Sequence, residues 1–167
     1  MLNLVRDPDP ILKQKAENWD FEKHINAAVI EREMIDIMKS FNGIGLAGNQ
    51  VGLLRRVFVM KLTDGREMGF FNPTILVGDN ATQEDTEGCL SFPNLWLKIP
   101  RDNKITAMYL DNTGKQCIIE LEGLDSRCFQ HELDHMNGIV YTDKAKPLAL
   151  QQGMKKRNKI LKKIRLK

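Results

Sequence analysis

Residues 131–135 read His-Glu-Leu-Asp-His, and this stretch is expected to lie on the central helix of the fold. On an α-helix, residues four apart share one face one turn apart, so the imidazoles of His131 and His135 can reach a single cation. Glu132 stands beside them, near enough to polarise a water molecule. The spacing therefore predicts a metal-binding helix over about residues 125–136. A surface helix with two unrelated histidines is the alternative.

The sequence on either side of this helix predicts an α+β fold with antiparallel sheets around it. Before it, an amphipathic pattern predicts an N-terminal helix over about residues 21–41, capped by Asp20. After it, a C-terminal helix is expected from Pro147 to the end. The turn residues Asp-Asn-Thr-Gly at 111–114 predict an antiparallel hairpin. Short apolar runs predict strands at 57–60, 75–77, 105–110 and 117–121.

The length and composition are those of one globular domain, residues 1–167. The chain has 167 residues, of which 42% are hydrophobic and 28% charged. No apolar run approaches the roughly 18 residues of a membrane span, and residues 1–8 lack the features of a signal peptide. We therefore expect a cytoplasmic protein with no membrane partner. Three cysteines, an odd number, argue against a disulfide framework.

The C-terminal helix is strongly basic. Residues 144–167 hold ten of the 25 Lys and Arg residues and no acid, which leaves 15 basic against 22 acidic side chains elsewhere. The predicted helix 147–167 is therefore a candidate contact for a polyanion. A solvated helix face is the alternative.

A catalytic metal site needs a third protein ligand besides the two histidines. Hydrolytic centres normally have three protein ligands and one open position for water. After His135 the sequence has no Glu or His, and Asp143 is its only acid. This absence argues against an ordinary zinc peptidase, which usually takes its third ligand from downstream.

Cysteine is the remaining strong ligand type. Cys128 lies one turn before His131, and its short side chain is not expected to reach a metal held there. Cys117 falls in an apolar strand, where a core position is favoured. Cys89 lies in Glu-Gly-Cys-Leu-Ser at 87–91, between strands, where a displayed thiol can meet the helix. An inert loop cysteine is the alternative.

A third segment, Gly-Ile-Gly-Leu-Ala-Gly-Asn-Gln at residues 43–50, is rich in small residues. Such residues permit close backbone approach, which a peptide needs to bind as an added strand. The segment lacks the Gly-Lys-Ser/Thr ending of a phosphate loop. A tight turn between helix and strand is the alternative.

Together these segments resemble peptide deformylase. The family carries Gly-x-Gly-x-Ala-x-x-Gln, Glu-Gly-Cys-x-Ser and Gln-His-Glu-x-Asp-His in that order, and here they stand at 43–50, 87–91 and 130–135. The opening Asp-Pro-Asp-Pro-Ile-Leu at 7–12 is also similar, so the resemblance spans nearly the whole chain. It implies a metal-dependent hydrolase that removes the formyl group from the N-terminal formyl-methionine of nascent peptides and releases formate.

The resemblance also implies the roles of individual residues. The implied acid and base is Glu132, and the implied oxyanion donors are the Gln50 side-chain amide and the Leu90 backbone N–H. One divalent ion is implied, Fe(II) foremost, with Zn(II), Ni(II) or Co(II) as alternatives. Its implied ligands are Cys89, His131 and His135.

The substrate would lie along the glycine segment, with the methionine side chain in an apolar pocket. Leu124 and Cys128 share a helical face with His131, which makes them candidate pocket walls, and core packing is their other role. The expected substrate-binding residues are Gly43, Ile44, Gly45, Leu124 and Cys128.

Three further positions need separate interpretation. Gly48 replaces the second alanine usual in the glycine segment, and we expect it to loosen the turn that positions Gln50. Arg127 stands where an apolar residue is expected, and we expect it to extend outward to solvent, with substrate contact as the alternative. Asp134 lies off the ligand face, where it either pairs with Arg101 or is simply solvated.

The expected partners are a formyl-methionyl peptide and, through the basic helix, the ribosome, with no DNA partner and a monomeric state. One rival function is a metallopeptidase or other amidase with the same Cys-His-His site. A second rival is a ribosome- or RNA-binding module with a structural metal. Such a site normally has four protein ligands, and no fourth is evident in the sequence.

Overall fold

The computed structural model describes residues 2–24 and 26–165. Along these described residues, seven strands lie between the first and second of three α-helices. The helices are α1 (Ala27–Ser40), α2 (Gly123–Met136) and α3 (Pro147–Arg165). The strands are β1 (Gly45–Ala47), β2 (Val57–Lys61), β3 (Glu67–Gly78), β4 (Thr82–Cys89), β5 (Phe92–Asp102), β6 (Lys104–Leu110) and β7 (Gln116–Glu122).

The strands form two antiparallel sheets that both contact α2. One has five strands in the order β1-β2-β3-β6-β7, and the other pairs β4 with β5. Strands β6 and β7 form the predicted hairpin, with Leu110 opposite Gln116. Helix α2 packs against β1, β2 and β7 of the first sheet and against β5 of the second. The expected α+β class, with antiparallel sheets around a central helix and a helix near each end, is confirmed.

Helix α2 is fixed to the five-stranded sheet by an aromatic cluster. The Phe129 ring is fully buried and meets the rings of Phe58 and Phe70 edge-on, at centroid distances of 5.0 and 5.3 Å. Burying a phenylalanine side chain stabilises the fold by about 2–3 kcal/mol. This packing fixes the position of α2 relative to the five-stranded sheet.

Helix α1 begins later than the sequence predicts. Asn26 is its N-cap, with Oδ1 accepting a hydrogen bond from the Ala28 N–H at 2.9 Å. Asp20, the predicted cap, instead accepts from the Glu22 N–H and closes a local turn. An aspartate can stabilise either arrangement, because its carboxylate bonds to backbone donors two residues ahead in both.

Helix α3 follows the second sheet for only part of its length. Leu150 and Met154 pack against the cluster that contains Leu95 and Leu97, whereas Ile164 is exposed. The predicted helix extended to residue 167, and Leu166 and Lys167 lie outside the described residues. Within the described part of the chain, no helix combines the length and apolar character that a membrane crossing requires.

Candidate active site

The three predicted metal ligands converge at the junction of α2 and the second sheet. The Cys89 sulfur and one ligand atom from each of His131 and His135 all lie within 4.8 Å of one another. The Cys89 Sγ is 3.4 Å from His135 Nε2. Within the described ranges, this is the one cluster of three or more Cys, His, Asp or Glu residues whose donor atoms could hold a single ion.

Two different elements bring these ligands together. Helix α2 places His131 and His135 on one face, with ring centroids 5.1 Å apart. Cys89 is the last residue of β4 rather than part of an irregular loop, and it pairs with Phe92 across the tight turn to β5. The register shifts between Glu87 and Cys89, and such an irregularity re-aims a side chain at the end of a strand.

Glu87 orients one of the histidine ligands. Its Oε2 lies 2.9 Å from His131 Nδ1, so this ring nitrogen is engaged and Nε2 is left for the metal. Arg101 donates to both oxygens of Glu87, at 2.9 and 3.0 Å. Burial alone would raise the pKa of Glu87, but the hydrogen bonds from His131 and Arg101 outweigh it and lower the pKa to about 2. The carboxylate is therefore ionised and fixed.

Glu132, on the same helix as His131, differs from Glu87 in having an oxygen without a hydrogen-bond partner in the described part of the chain. It is buried, and this oxygen is Oε2. Burial is the main reason that the pKa of Glu132 is raised, to about 7. A buried carboxylate with a free oxygen beside a Cys-His-His donor set fits a site built around a cation and water.

Gln50 is held with its amide group beside the metal ligands. Its Oε1 accepts from the Ala47 N–H at 2.8 Å, which fixes the orientation of the amide. Its Nε2 donates to Ser91 Oγ at 3.1 Å and to Cys89 Sγ at 3.2 Å. Gly48, in the same turn, is closely packed, because an added Cβ would lie 2.7 Å from a backbone carbonyl oxygen. We find a tight turn here, in place of the looser one expected from the sequence.

A cleft of about 310 Å³ opens beside these residues. Gly45 forms part of its floor, and an added Cβ there would collide with Glu132 and lie 2.7 Å from Cys128 Sγ. Ile44 and Leu124 are about half exposed on its wall. All five predicted substrate-binding residues line the cleft, namely Gly43, Ile44, Gly45, Leu124 and Cys128. Gln50 and Leu90 line it as well.

Arg127 was expected to extend to solvent, and this expectation is wrong. The residue is buried, and its guanidinium donates to Glu87 Oε1 at 2.8 Å, to the Ile99 carbonyl at 2.7 Å and to the Gln83 carbonyl at 2.7 Å. Arg127 is buried because one carboxylate and two main-chain carbonyls close to α2 need hydrogen-bond donors, which its guanidinium supplies. Arg127 also lines the cleft.

The structure adds an ion-pair chain that sequence reasoning only partly found. Arg101 donates to Asp134, which is the pairing considered from the sequence, and Asp134 also accepts from Lys144 Nζ at 2.7 Å. Sequence reasoning missed Glu87 as the partner of His131 and Trp96 as a cleft residue. In residues 95–101 every second residue is buried. This alternation is the signal that could have placed Trp96 on the exposed face of the strand and Arg101 on the buried face.

Comparison with known proteins agrees with this site. The family model for polypeptide deformylase matches residues 1–151. A peptide deformylase of Thermotoga maritima is 40% identical over 140 residues, covering 83% of this chain and 84% of the relative. Peptide deformylase 1 of Clostridium perfringens is 39% identical over 142 residues, covering 84% and 95%.

Solved structures agree with the sequence matches. The crystal structure of a peptide deformylase from Legionella pneumophila superposes with a TM-score of 0.88 at 30% identity, covering 100% of this chain and 99% of that one. A peptide deformylase from Synechococcus elongatus, in complex with actinonin, gives 0.87 at 31% identity, covering 94% and 88%. The chain described here belongs to the polypeptide deformylase family.

Proposed function

We propose a division of roles for the deformylase reaction, in which the formyl amide at the N-terminal methionine of a nascent peptide is hydrolysed to formate and a free amine. The chain is a metal-dependent hydrolase of this family. The observation that carries the assignment is the meeting of three metal ligands and the unpartnered Glu132 oxygen at the edge of one cleft.

We assign the cation to Cys89, His131 and His135. A thiolate and two neutral imidazoles suit Fe(II), Zn(II), Ni(II) and Co(II), and we propose Fe(II) as the physiological ion. When bound, such an ion supplies Lewis acidity, which polarises a carbonyl and lowers the pKa of water. The hydrogen bond between Glu87 and His131 supports the assignment, because it commits Nδ1 and leaves Nε2 as the ligand atom.

Glu132 serves as the acid and base. It takes a proton from the water that attacks the formyl carbon and then delivers it to the amine nitrogen as the C–N bond breaks. Its Oε2 makes no other hydrogen bond within the described structure, which leaves this oxygen available to water. General acid and base catalysis of this kind typically contributes about 10²- to 10⁴-fold in rate.

Two donors stabilise the negative charge that develops on the formyl oxygen. The first is the Gln50 side-chain amide, which Ala47 and Ser91 hold 3.2 Å from the Cys89 sulfur. The second is the backbone N–H of Leu90, the residue after that ligand. Preorganised donors of this type are commonly the largest electrostatic contribution to acyl-transfer catalysis.

The peptide binds as an added strand beside β1. This strand lies at an edge of the five-stranded sheet and pairs on one side with β2, so the backbone of Gly43, Ile44 and Gly45 can pair with an extended peptide. The methionine side chain enters the apolar part of the cleft, against Leu124 and Cys128.

A formate-release assay tests this function. The apoprotein is loaded separately with Fe(II), Zn(II), Ni(II) and Co(II) and given formyl-Met-Ala-Ser. We expect formate and intact Met-Ala-Ser as products, and a loss of at least 100-fold in Glu132→Ala with metal content unchanged. Internal peptide cleavage would indicate a metallopeptidase instead, and full activity in Glu132→Ala would contradict the assigned base.

We also propose that α3 brings the enzyme to the ribosome in the cytoplasm, where nascent formylated chains emerge. Lys159, Lys162 and Lys163 are exposed along its second half, where few of its side chains are buried. Contacts between lysines and phosphates would give binding that weakens steeply with salt. Arg157 is not part of this surface, because it is buried against Asp7 and the Pro93 carbonyl.

Ribosome co-sedimentation at several salt concentrations tests this contact. We expect weaker binding and a shallower salt dependence in a triple glutamine variant, with unchanged turnover of formyl-Met-Ala-Ser. Its substitutions are at Lys159, Lys162 and Lys163. The control neutralises three exposed lysines elsewhere: Lys15, Lys61 and Lys115. Equal loss of binding in both variants would show that ribosome binding depends on the net charge of the protein, and it would contradict a specific role for α3.

A further inference from the structure

Arg127 joins three elements of the fold: α2, β4 and β5. It extends from α2 and donates to Glu87 Oε1, to the Gln83 carbonyl of β4 and to the Ile99 carbonyl of β5. Its side chain is 9% exposed. Three short hydrogen bonds from one rigid, planar guanidinium fix a distance and an orientation between helix and sheet.

Apart from the bonds that link Glu87 to His131 and, through Arg101, to Asp134, the strand that it holds has little to keep it against the helix. Residues 82–86 of β4 are exposed, so this half of the strand contributes no buried side chain to the core. It pairs with β5, and Glu84 at its surface pairs with Lys146. Exposed ion pairs contribute little to stability. Arg127 therefore provides a buried connection from α2 to the exposed half of the strand that ends in Cys89.

Charge compensation alone does not explain Arg127. Arg101 already forms a two-pronged ion pair with Glu87, and it also pairs with Asp134. Lys144 also pairs with Asp134, so Arg101 and Lys144 already balance the charges of Glu87 and Asp134. Two of the three groups that Arg127 binds are neutral backbone carbonyls, which points to a role in geometry.

We propose that Arg127 is a positioning residue of the metal centre: it holds the strand that carries Cys89 at a fixed distance from the helix that carries His131 and His135. With Arg101, it also keeps Glu87 against His131 Nδ1. The sulfur and the two imidazoles come from different elements, so their separation depends on this connection. The inference rests on the proposed function for the identity of the ligands.

Metal affinity, measured without substrate, tests the proposal in Arg127→Met and Arg127→Lys. Competition against a chromogenic chelator for Zn(II) or Co(II) should show weakening of about tenfold or more in the methionine variant, the size of effect typical for groups that support metal ligands. The lysine variant retains the charge but cannot satisfy three separated acceptors, so we expect weakening in it as well. Arg32→Met, at an exposed arginine of α1, is the control with unchanged affinity.

Hydrogen exchange provides a second readout that does not require activity. The amides of β4 should exchange faster in both Arg127 variants of the metal-free protein, with α1 unchanged. Wild-type metal affinity in Arg127→Lys or unchanged exchange in β4 would overturn the proposal. Kinetics that change with peptide length, at unchanged metal affinity, would show that Arg127 contacts substrate instead. The metal-affinity and hydrogen-exchange measurements use no substrate, so their outcome does not depend on whether the protein shows deformylase activity.

Discussion

Gly45 shows how a single missing side chain shapes the site. Its Cα lies against the Glu132 carboxylate and the Cys128 sulfur, on the edge strand that faces the cleft. Neither neighbour is the free end of an exposed side chain, because both are buried on α2. The close approach of backbone and carboxylate places the proposed peptide-binding strand β1 and the proposed acid/base group side by side.

Replacing Gly45 with alanine is expected to lower kcat/KM for formyl-Met-Ala-Ser by about 100-fold. The added methyl group collides with Glu132, and a displacement of about 1 Å at a reacting group costs a factor of this order. Formate release measures the loss, while metal content and thermal unfolding verify that the site is otherwise intact. Turnover at the wild-type rate would show that Glu132 can move without consequence.

Individual ligands were more predictable than the residues that hold them. The spacing of His131 and His135 follows from helix geometry, so the sequence alone indicates a shared cation. Arg127 was misjudged because two of its three acceptors are main-chain carbonyls on β4 and β5. Backbone acceptors leave no mark in a sequence, and these two strands were themselves not predicted.

Strands β4 and β5 escaped prediction for different reasons. Strand β4 reads Thr-Gln-Glu-Asp-Thr-Glu-Gly-Cys, which has no apolar alternation because five of its residues face solvent. Strand β5 does alternate, but Pro93 and Pro100 interrupt it, and proline normally marks an edge strand or a break. Helix α2 was predicted to within two residues, and α3 begins at the predicted Pro147, since each carries a periodic pattern.

Helix α3 is fastened to the N-terminal arm, residues 2–13, by one buried arginine. Arg157 Nη1 lies 2.9 Å from Asp7 Oδ2, and its Nε donates to the Pro93 carbonyl at 3.2 Å. The Arg157 side chain is 7% exposed and that of Asp7 is 29% exposed. The ion pair is therefore partly shielded from water.

Arg157→Met is expected to lower the free energy of unfolding by about 2 kcal/mol. Breaking a fully buried pair costs about 3–5 kcal/mol, and the partial exposure of Asp7 reduces this value. Denaturant unfolding measures the change. The matched substitution Lys159→Met, at an exposed lysine of the same helix, is expected to change the free energy by less than about 0.5 kcal/mol. Similar values for the two variants would contradict a structural role for Arg157.

At the scale of the whole molecule, the metal ligands join parts of the fold that have separate hydrophobic clusters. One cluster packs α2 onto the five-stranded sheet, and another packs β5 against α3 and the N-terminal arm. Cys89 belongs to the second region, whereas the two histidines belong to α2. An ion that binds all three links the regions and favours the folded state by mass action.

Removing the metal with a chelator is therefore expected to lower Tm by several degrees. At an ion concentration about 100 times Kd, binding contributes about 2.7 kcal/mol to stability, which corresponds to about 5–10 °C in a domain of this size. Differential scanning calorimetry with and without chelator measures the shift. Cys89→Ala is the control and should unfold at a temperature that the chelator changes much less. An equal shift in both proteins would show that the ion binds elsewhere.

The free edge of β1 has a consequence for the range of clients that the enzyme serves. Main-chain amide and carbonyl groups are the same in every polypeptide. A peptide that adds to the edge strand β1 is therefore recognised through its main chain, with little dependence on most of its side chains. In the proposed binding mode, one site would process peptides that differ beyond the first residue, and selectivity would rest on that residue.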